Sequence, residues 1–371
     1  MSWWRISFCV APYLAFAVEW MLLRSVFGWT RRLALFTFVG LLAASKFPAF
    51  GFFGGNSFNP ELPRWLLFAW GWLESAVWVA LPLSLGAALL VLVVRRLFRA
   101  SRPTGADVVV AVTLASAVMA LYGMYDGMRP ASVVERELAV DGLPAEFDGY
   151  RVLHLSDLHC SAAARRDKFE TIVARANACH PDLIVITGDF VDGTVREREH
   201  DLEPLRDLRA PDGVWGCLGN HERYWGVRDW LERFAAWNVR ILRNRCTEIR
   251  RGGASIALGG MDDPAFGAPD REVFAGAPAD GFRILLYHRP SECAFAAREL
   301  GVRLQLSGHT HGGVMPVIDL GVGCFNDGHS RGVYREGSLT LHVSPGTGQW
   351  AGFPLRIFNP PEITVLTLRR R

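Results

Sequence analysis

Hydrophobic positions follow two different patterns along this chain. Up to about residue 130 they form long unbroken runs: Ile6–Leu23 and Val108–Tyr125 with 18 residues each, Leu33–Phe53 with 21 and Trp65–Val94 with 30. Glu19, Lys46 and Glu74 are the charges inside the first three runs in chain order, and Val108–Tyr125 has none. A hydrocarbon core about 30 Å thick takes about 20 apolar residues as a helix, so the pattern predicts about four membrane-spanning helices. Lys46, Pro48 and the Gly-rich stretch Gly51–Gly55 make the end of the second run the least regular. No small-residue cleavage site follows the first run, so a removable signal peptide is not expected.

Past residue 147 the apolar runs shorten and alternate with amphipathic stretches. Val152–Leu155, Leu183–Ile186, Val214–Leu218, Ile284–Tyr287 and Leu304–Leu306 read as strands buried on both faces. Arg165–Cys179, Glu197–Leu208, Val227–Trp237 and Ser291–Leu300 read as helices between them. Further β patterns fall at Cys246–Arg250, Ser255–Gly259, Gly332–Tyr334, Leu339–Val343 and Ile363–Leu368. The expected organisation is a helical membrane domain over 1–130, a connector over 131–147 and one α/β domain over 148–371. Its sheet should be largely parallel with some antiparallel edges.

Charge divides the chain at the same place. Residues 1–130 hold 11 Lys/Arg and 5 Asp/Glu, a net of +6, and the remainder carries a net of −3. The acidic second half argues against a nucleic-acid partner held through phosphates. Arg24, Arg31 and Arg32 lie between the first two runs, and Arg95, Arg96, Arg99 and Arg102 between the last two. Fewer basic residues flank the other side, so the first and third loops are expected in the cytoplasm. The chain then reads as a multi-pass protein of a bacterial inner or plasma membrane, with the α/β domain on the extracytoplasmic side. Trp3, Trp4, Trp29, Trp65, Trp70 and Trp72 near the run ends suit interfacial anchoring. The seven cysteines show no CxxC spacing, which points away from a zinc ribbon or a thioredoxin-type site.

The informative chemistry follows the buried strands. Ser156-Asp157-Leu158-His159, Gly188-Asp189-Phe190-Val191-Asp192, Gly219-Asn220-His221-Glu222, His288 and Gly308-His309-Thr310-His311-Gly312-Gly313 each come at a strand's carboxyl end. In an open α/β sheet those ends form the binding crevice. Imidazole, carboxylate and amide donors without thiolate suit Mn, Fe or Zn, with Mn favoured, over calcium or a structural zinc. Asp157, His159, Asp189, Asn220, His288, His309 and His311 make seven candidate ligands, enough for two divalent ions sharing a carboxylate. His221 is a spare imidazole for protonating a leaving alkoxide.

This ordered set of five blocks resembles the calcineurin-like metallophosphoesterase superfamily. It is similar in particular to the membrane-associated phosphodiesterase branch of YkuE-like and UDP-2,3-diacylglucosamine pyrophosphatase-like proteins. The resemblance covers about residues 148–371, and Pro354-Leu355-Arg356 through Asn359-Pro360-Pro361-Glu362 also fits it. It implies a four-layer αββα sandwich with a first metal on Asp157, His159, Asp189 and His311. The second metal would sit on Asp189, Asn220, His288 and His309, with Asp189 bridging and a hydroxide between the ions. It further implies His221 as general acid and Asp192 as an acid that orients a ligand or His221. Glu222 stands where many members have Asp.

The other histidines, His154, His180, His200, His329 and His342, lie outside the blocks and are assigned structural roles, and Cys160 is read as a spectator. Gly188, Gly219 and Gly308 are expected to permit tight turns. Tyr224, Trp225, Phe266, Phe325 and Trp350 are either an apolar lip for an acyl chain or core packing. The leading expectation is a membrane-anchored metallophosphoesterase acting on a phosphodiester or pyrophosphate, with lipid-linked esters and the bilayer as natural partners. The competing reading is a non-catalytic metal-binding membrane sensor or scaffold, against which the intact His221 and full ligand set count. A transporter core would need paired polar residues or broken helices, and Glu19, Glu74 and Pro82 are too few.

Overall fold

A computed structural model describes residues 52–55, 59–98, 105–268, 270–278 and 281–371. The chain divides into two compact units. One runs to Tyr125 and includes Gly352–Ile357, and the other holds Asp126–Ala351 and Phe358–Arg371.

In the first unit, the last two predicted spans form helices α1 (Arg64–Phe98) and α2 (Gly105–Met128). Arg64–Val91 and Val110–Met128 are long and apolar enough to cross a membrane. Leu85, Leu89, Leu90 and Val93 of α1 and Leu114, Val118 and Leu121 of α2 are exposed. Outer surfaces this apolar suggest association with a membrane. The first predicted span, with Glu19, and all of the second except Phe52 and Phe53, with Lys46, lie outside the described residues. Trp72 donates its indole N–H to the Ala117 carbonyl (2.8 Å), tying α1 to α2. The Gly352–Ile357 segment returns to these helices. The Arg356 N–H donates to the Gly123 carbonyl (3.0 Å), and Phe353 meets Trp78 edge to face at 5.7 Å. A Cβ on Gly71 or Gly123 would strike Pro354 or Leu355 (2.6 Å each), so these helix positions take no side chain.

The second unit contains, among the described residues, two six-stranded sheets. The strands of the first are β1 (Ser132–Val140), β2 (Arg151–Leu155), β3 (Leu183–Thr187), β4 (Val214–Cys217), β5 (Val239–Ile241) and β12 (Glu362–Arg370). Their order is β1-β12-β2-β3-β4-β5, with the β12–β2 pair antiparallel and the rest parallel. The second sheet is built from β6 (Arg245–Arg251), β7 (Ala254–Met261), β8 (Phe282–Tyr287), β9 (Leu304–Ser307), β10 (Gly332–Glu336) and β11 (Leu339–Val343). Its order is β10-β11-β9-β8-β7-β6, with parallel pairs at the centre and antiparallel ones at both edges.

Period-two alternation sorts the side chains into layers. Val152, Leu183 and Val185 face Ile256, Leu258, Ile284, Leu286, Leu304 and Leu306 in a core between the sheets. Leu153, Leu155, Ile184 and Ile186 point the other way, onto Phe169 and Ile172 of α3 (Arg166–Ala178) and Trp230 and Phe234 of α5 (Val227–Ala236). Leu285, Tyr287, Leu341 and Val343 cover the outer face of the second sheet with Cys293 and Ala296 of α6 (Cys293–Glu299). Burial on both faces is why β2, β3 and β8 read as nearly unbroken apolar runs.

Three differences from the sequence reading have physical causes. The stretch expected to be a connector, 131–147, contains β1, which pairs with β12 over nine positions. As an edge strand it carries Glu135, Arg136 and Glu137 on exposed positions, so no apolar run marks it. The helix expected over Glu197–Leu208 stops early: α4 spans Val195–Leu202, and a 3₁₀ turn covers Glu203–Asp207. Pro204 has no N–H for the α-helical bond there. The short β5 and α7 (Ile318–Cys324) had no periodic signal, since one has three residues and the other carries two glycines.

Candidate metal centre

All five polar blocks emerge at the carboxyl ends of central strands. β2, β3 and β4 are parallel neighbours in one sheet, and β8 and β9 are parallel neighbours in the other. Their exits bring the blocks together. Asp157, His159, Asp189, His309 and His311 all have positive φ, between 47° and 70°. Non-glycine residues hold that conformation at a cost of about 1 kcal/mol or more each, so the surrounding contacts must impose it. Backbone bonds between the loops do so. The N–H of Asp157 donates to the Gly188 carbonyl (3.1 Å), His159 to Asp189 (3.0 Å), Cys160 to Phe190 (2.9 Å) and Asp192 back to Cys160 (2.8 Å).

Glu222 completes this frame. Its buried carboxylate accepts the N–H groups of Phe190 and Gly219 (2.7 Å each), Asp189 (3.1 Å) and Val191 (3.4 Å). Burial, then the neighbouring Asp189 charge, pushes this carboxyl up to about 8. Gly188 does occupy the left-handed region (φ 82°), as a tight turn requires. Gly219 and Gly308 do not, and their reason is proximity. A Cβ on Gly219 would overlap the Asp189 carboxylate, and one on Gly308 would overlap Ser156 and Asp157.

Asp189 is the hub. Its Oδ2 lies 3.2 Å from His288 Nε2, 3.8 Å from His159 Nε2 and 3.9 Å from His221 Nε2. Its Oδ1 accepts the His221 N–H (2.9 Å). On one side His159 Nε2 approaches His311 Nε2 at 3.0 Å, and His311 Nε2 lies 3.5 Å from Asp157 Oδ1. On the other, His288 Nε2 approaches His309 Nδ1 at 3.2 Å. Asp157 Oδ2 accepts the Ser156 hydroxyl (2.6 Å), the His309 N–H is shared between Oδ1 (3.0 Å) and Oδ2 (3.1 Å), and Oδ1 also faces His311. His288 is fixed from behind by donating Nδ1–H to the Thr187 carbonyl (2.7 Å). Asp192 lies behind two imidazoles at once. Its Oδ2 accepts from His159 Nδ1 (3.0 Å), and its Oδ1 makes a short bond with His221 Nδ1.

This donor set fits divalent cations. Imidazole nitrogens and carboxylate oxygens fall into the groups Asp157–His159–His311 and Asp189–His288–His309, with His159–Asp189–His221 between them. Asn220, flanked by Gly219 and His221, has a buried Oδ1 without a hydrogen-bond partner, and a cation would satisfy it. Against its burial, the imidazoles of His288, His221 and His159 hold the Asp189 carboxyl well below its ordinary value. Burial disfavours charge on His288 and His221, yet Asp189 foremost pushes them up to about 10 and about 9. Burial and the His288 charge hold His309 well below the ordinary imidazole value. The carboxylates thus attract positive charge into the pocket, and ligating imidazoles must give up their protons to a metal.

A family model described as calcineurin-like phosphoesterase matches residues 150–313. The metallophosphoesterase YkuE of Bacillus subtilis is 32% identical over 261 residues, which span 67% of this chain and 90% of that protein. The chain belongs to the calcineurin-like metallophosphoesterase family. A transmembrane protein with metallophosphoesterase domain from Danio rerio is also 32% identical, over 69% of this chain and 61% of its own length. A solved structure of a 5′-nucleotidase precursor from Thermus thermophilus aligns with a TM-score of 0.37 at 17% identity, over 59% of this chain and 54% of that one.

Within this metallophosphoesterase domain the remaining residues sort by contact. Tyr224 and Trp350 meet the His221 ring edge to face at 5.9 and 5.7 Å. Trp225 and Phe266 pack against the core, so the packing reading holds for them, while Phe325 is 90% exposed. The buried Cys160 thiol faces the Arg198 carbonyl. Among the histidines read as structural, His180 and His200 are exposed, and His329 packs on Tyr334. His154 and His342 are buried together, Nδ1 to Nδ1 at 2.9 Å. Sequence reasoning missed the four-amide role of Glu222 and the hydroxyls of Ser156 and Thr187 beneath Asp157.

Proposed function

We propose that this chain is a membrane-anchored, dinuclear-metal phosphohydrolase that cleaves a phosphodiester or pyrophosphate bond. The observation that carries this is the placement of Asp189 Oδ2 between two groups of imidazoles, as a carboxylate shared by two ions requires. In this reading Asp157, His159, Asp189 and His311 hold one ion, and Asp189, Asn220, His288 and His309 hold the other. When bound, the two ions would supply an activated water and charge stabilisation for displacement at phosphorus. Manganese is the favoured metal on ligand type.

The protein's part is orientation and proton delivery. Asp192 grips Nδ1 of His221, so the ring turns Nε2 toward the pocket, where it protonates the departing alkoxide. The same Asp192 fixes His159 with Nε2 forward. Tyr224 and Trp350 beside His221 support a substrate with an apolar portion near the scissile bond. Exposed Val317, Leu320 and Phe325, downstream of the His311 turn, add to that apolar character. Together with the apolar helices α1 and α2, they favour a lipid or nucleotide-lipid ester.

The test is turnover of a bis-aryl phosphodiester and an aryl phosphomonoester by the full chain, with and without Mn²⁺. The reading expects Mn²⁺-dependent cleavage of the diester, lost in Asp189→Asn. Cleavage indifferent to metal, or unchanged in that variant, contradicts it. We also propose that the catalytic domain faces the extracytoplasmic side. A reporter active only in the cytoplasm, fused after Arg371, should then be silent.

A further inference from the structure

The two sheets are joined across their shared core by a chain of polar groups that ends on Asp157. His342 on β11 meets His154 on β2 through their Nδ1 atoms at 2.9 Å. His154 Nε2 meets Thr187 Oγ1 on β3 at 2.8 Å. Thr187 Oγ1 meets Ser156 Oγ at 2.8 Å, and Ser156 Oγ meets Asp157 Oδ2 at 2.6 Å. All five residues are buried, with at most 1% of their surface exposed. His154 pairs with Val185 along β2–β3, His342 pairs with Leu306 along β11–β9, and Val185 and Leu306 both lie in the core between the sheets.

We infer that His342, His154, Thr187 and Ser156 form a one-directional hydrogen-bond relay that fixes the Asp157 carboxylate for its ion and holds both histidines neutral in single tautomers. The inference rests on the proposed role of Asp157 as a ligand. Direction follows from donor and acceptor bookkeeping. A ligating carboxylate only accepts, so Ser156 donates its proton to Asp157. Ser156 Oγ must then accept from Thr187, and Thr187 Oγ1 must accept from His154 Nε2–H. His154 Nδ1 is left as an acceptor, and His342 fills it with Nδ1–H. The opposite polarity needs a proton on Asp157 Oδ2, where an ion-binding carboxylate carries none. Burial acts in the same sense on the two rings: it lowers His154 well below the ordinary imidazole value and His342 to about 3.

The consequence for the centre is geometric. Ser156 anchors Oδ2 of Asp157, the His309 N–H holds both carboxylate oxygens, and Oδ1 faces His311. His154 and His342 are therefore positioning residues that act through two hydroxyls.

The test has two arms on the full chain in nanodiscs. With ¹⁵N-labelled histidine and Zn²⁺ as diamagnetic probe, His154 should be protonated at Nε2 alone and His342 at Nδ1. His154 protonated at Nδ1, or either ring doubly protonated at neutral pH, overturns the relay, and this arm needs no relay variant to fold. In the second arm Mn²⁺ affinity is titrated. Thr187→Val, which keeps the shape and the carbonyl that holds His288, should bind Mn²⁺ 10- to 100-fold more weakly. Thr187→Ser should bind as the parent does. Equal affinity in all three overturns the positioning role. Asp157→Asn serves as control: full Mn²⁺ binding there overturns the ligand reading, whereas relay failure leaves that reading intact.

Discussion

Asp192→Asn separates ligand positioning from proton delivery, because one buried carboxylate serves both. Its two oxygens each take an imidazole Nδ1–H, from His159 and from His221. An amide of the same shape offers one oxygen and one NH₂. The NH₂ must face an imidazole nitrogen that has become an acceptor, so that ring moves its proton to Nε2. His159 cannot do so and still present Nε2 as a ligand, whereas His221 can. The amide oxygen is therefore expected to stay on His159 and the NH₂ to turn to His221. A hydrogen bond to a charged group contributes about 1.5–3 kcal/mol. Its loss at His221 corresponds to a fall in kcat of about 10- to 150-fold. Metal content should stay near that of the parent.

The pH profile should move as well. His221 must be protonated to act as an acid, so activity declines as pH rises through its pKa. Asp189 and then Asp192 raise that pKa against burial, to about 9. Removing the Asp192 charge should shift the alkaline limb to lower pH. The defect should be large for a diester with a poor alkoxide leaving group and nearly absent for a nitrophenyl ester, which leaves without a proton. An equal loss for both esters, or a loss that tracks missing metal, would refute the assignment.

Three further outcomes follow from the same structure. Glu222→Gln places an NH₂ against backbone N–H groups and should cost about 3 kcal/mol, read as a lowered Tm, because buried unsatisfied donors cost about 1–3 kcal/mol each. Gly219→Ala should fold with markedly weakened Mn²⁺ binding in a metal titration, since its methyl displaces the Asp189 carboxylate. Stability should fall with acid. His154 and His342 are held below the unfolded value of about 6.5, so their contribution is present above that pH and is lost toward the folded pKa, about 3 for His342. The loss is about 1.4 kcal/mol per pH unit per ring, and a His342→Leu variant that folds should show a shallower acid limb in denaturation.

The parts of this fold legible in the sequence are those where one physical demand acts on consecutive residues. β3 is buried on both faces, so Leu183–Ile186 is apolar throughout and announces itself. β1 is an edge strand and alternates weakly among charges, so it looked like a linker. The grouping of the donors was legible because each strand end carries its own, and the parallel strands bring those ends together. Glu222 was only half legible. Its carboxylate was noticed, but its work depends on amides from two loops that meet only in space. The histidine pair was invisible for the same reason: His154 and His342 are 188 positions apart and meet only once the sheets stack. Gly219 and Gly308 were assigned to turns, whereas the close approach of Asp189 and Asp157 is what excludes a side chain there.

The central claim is a pair of ions sharing Asp189. The most direct measurement is the EPR spectrum of the full chain titrated with Mn²⁺, beside Asp189→Asn. The account predicts two Mn²⁺ per chain and an exchange-coupled signal that is lost in the variant. Saturation at one Mn²⁺ per chain with an isolated six-line spectrum, unchanged in Asp189→Asn, would contradict it.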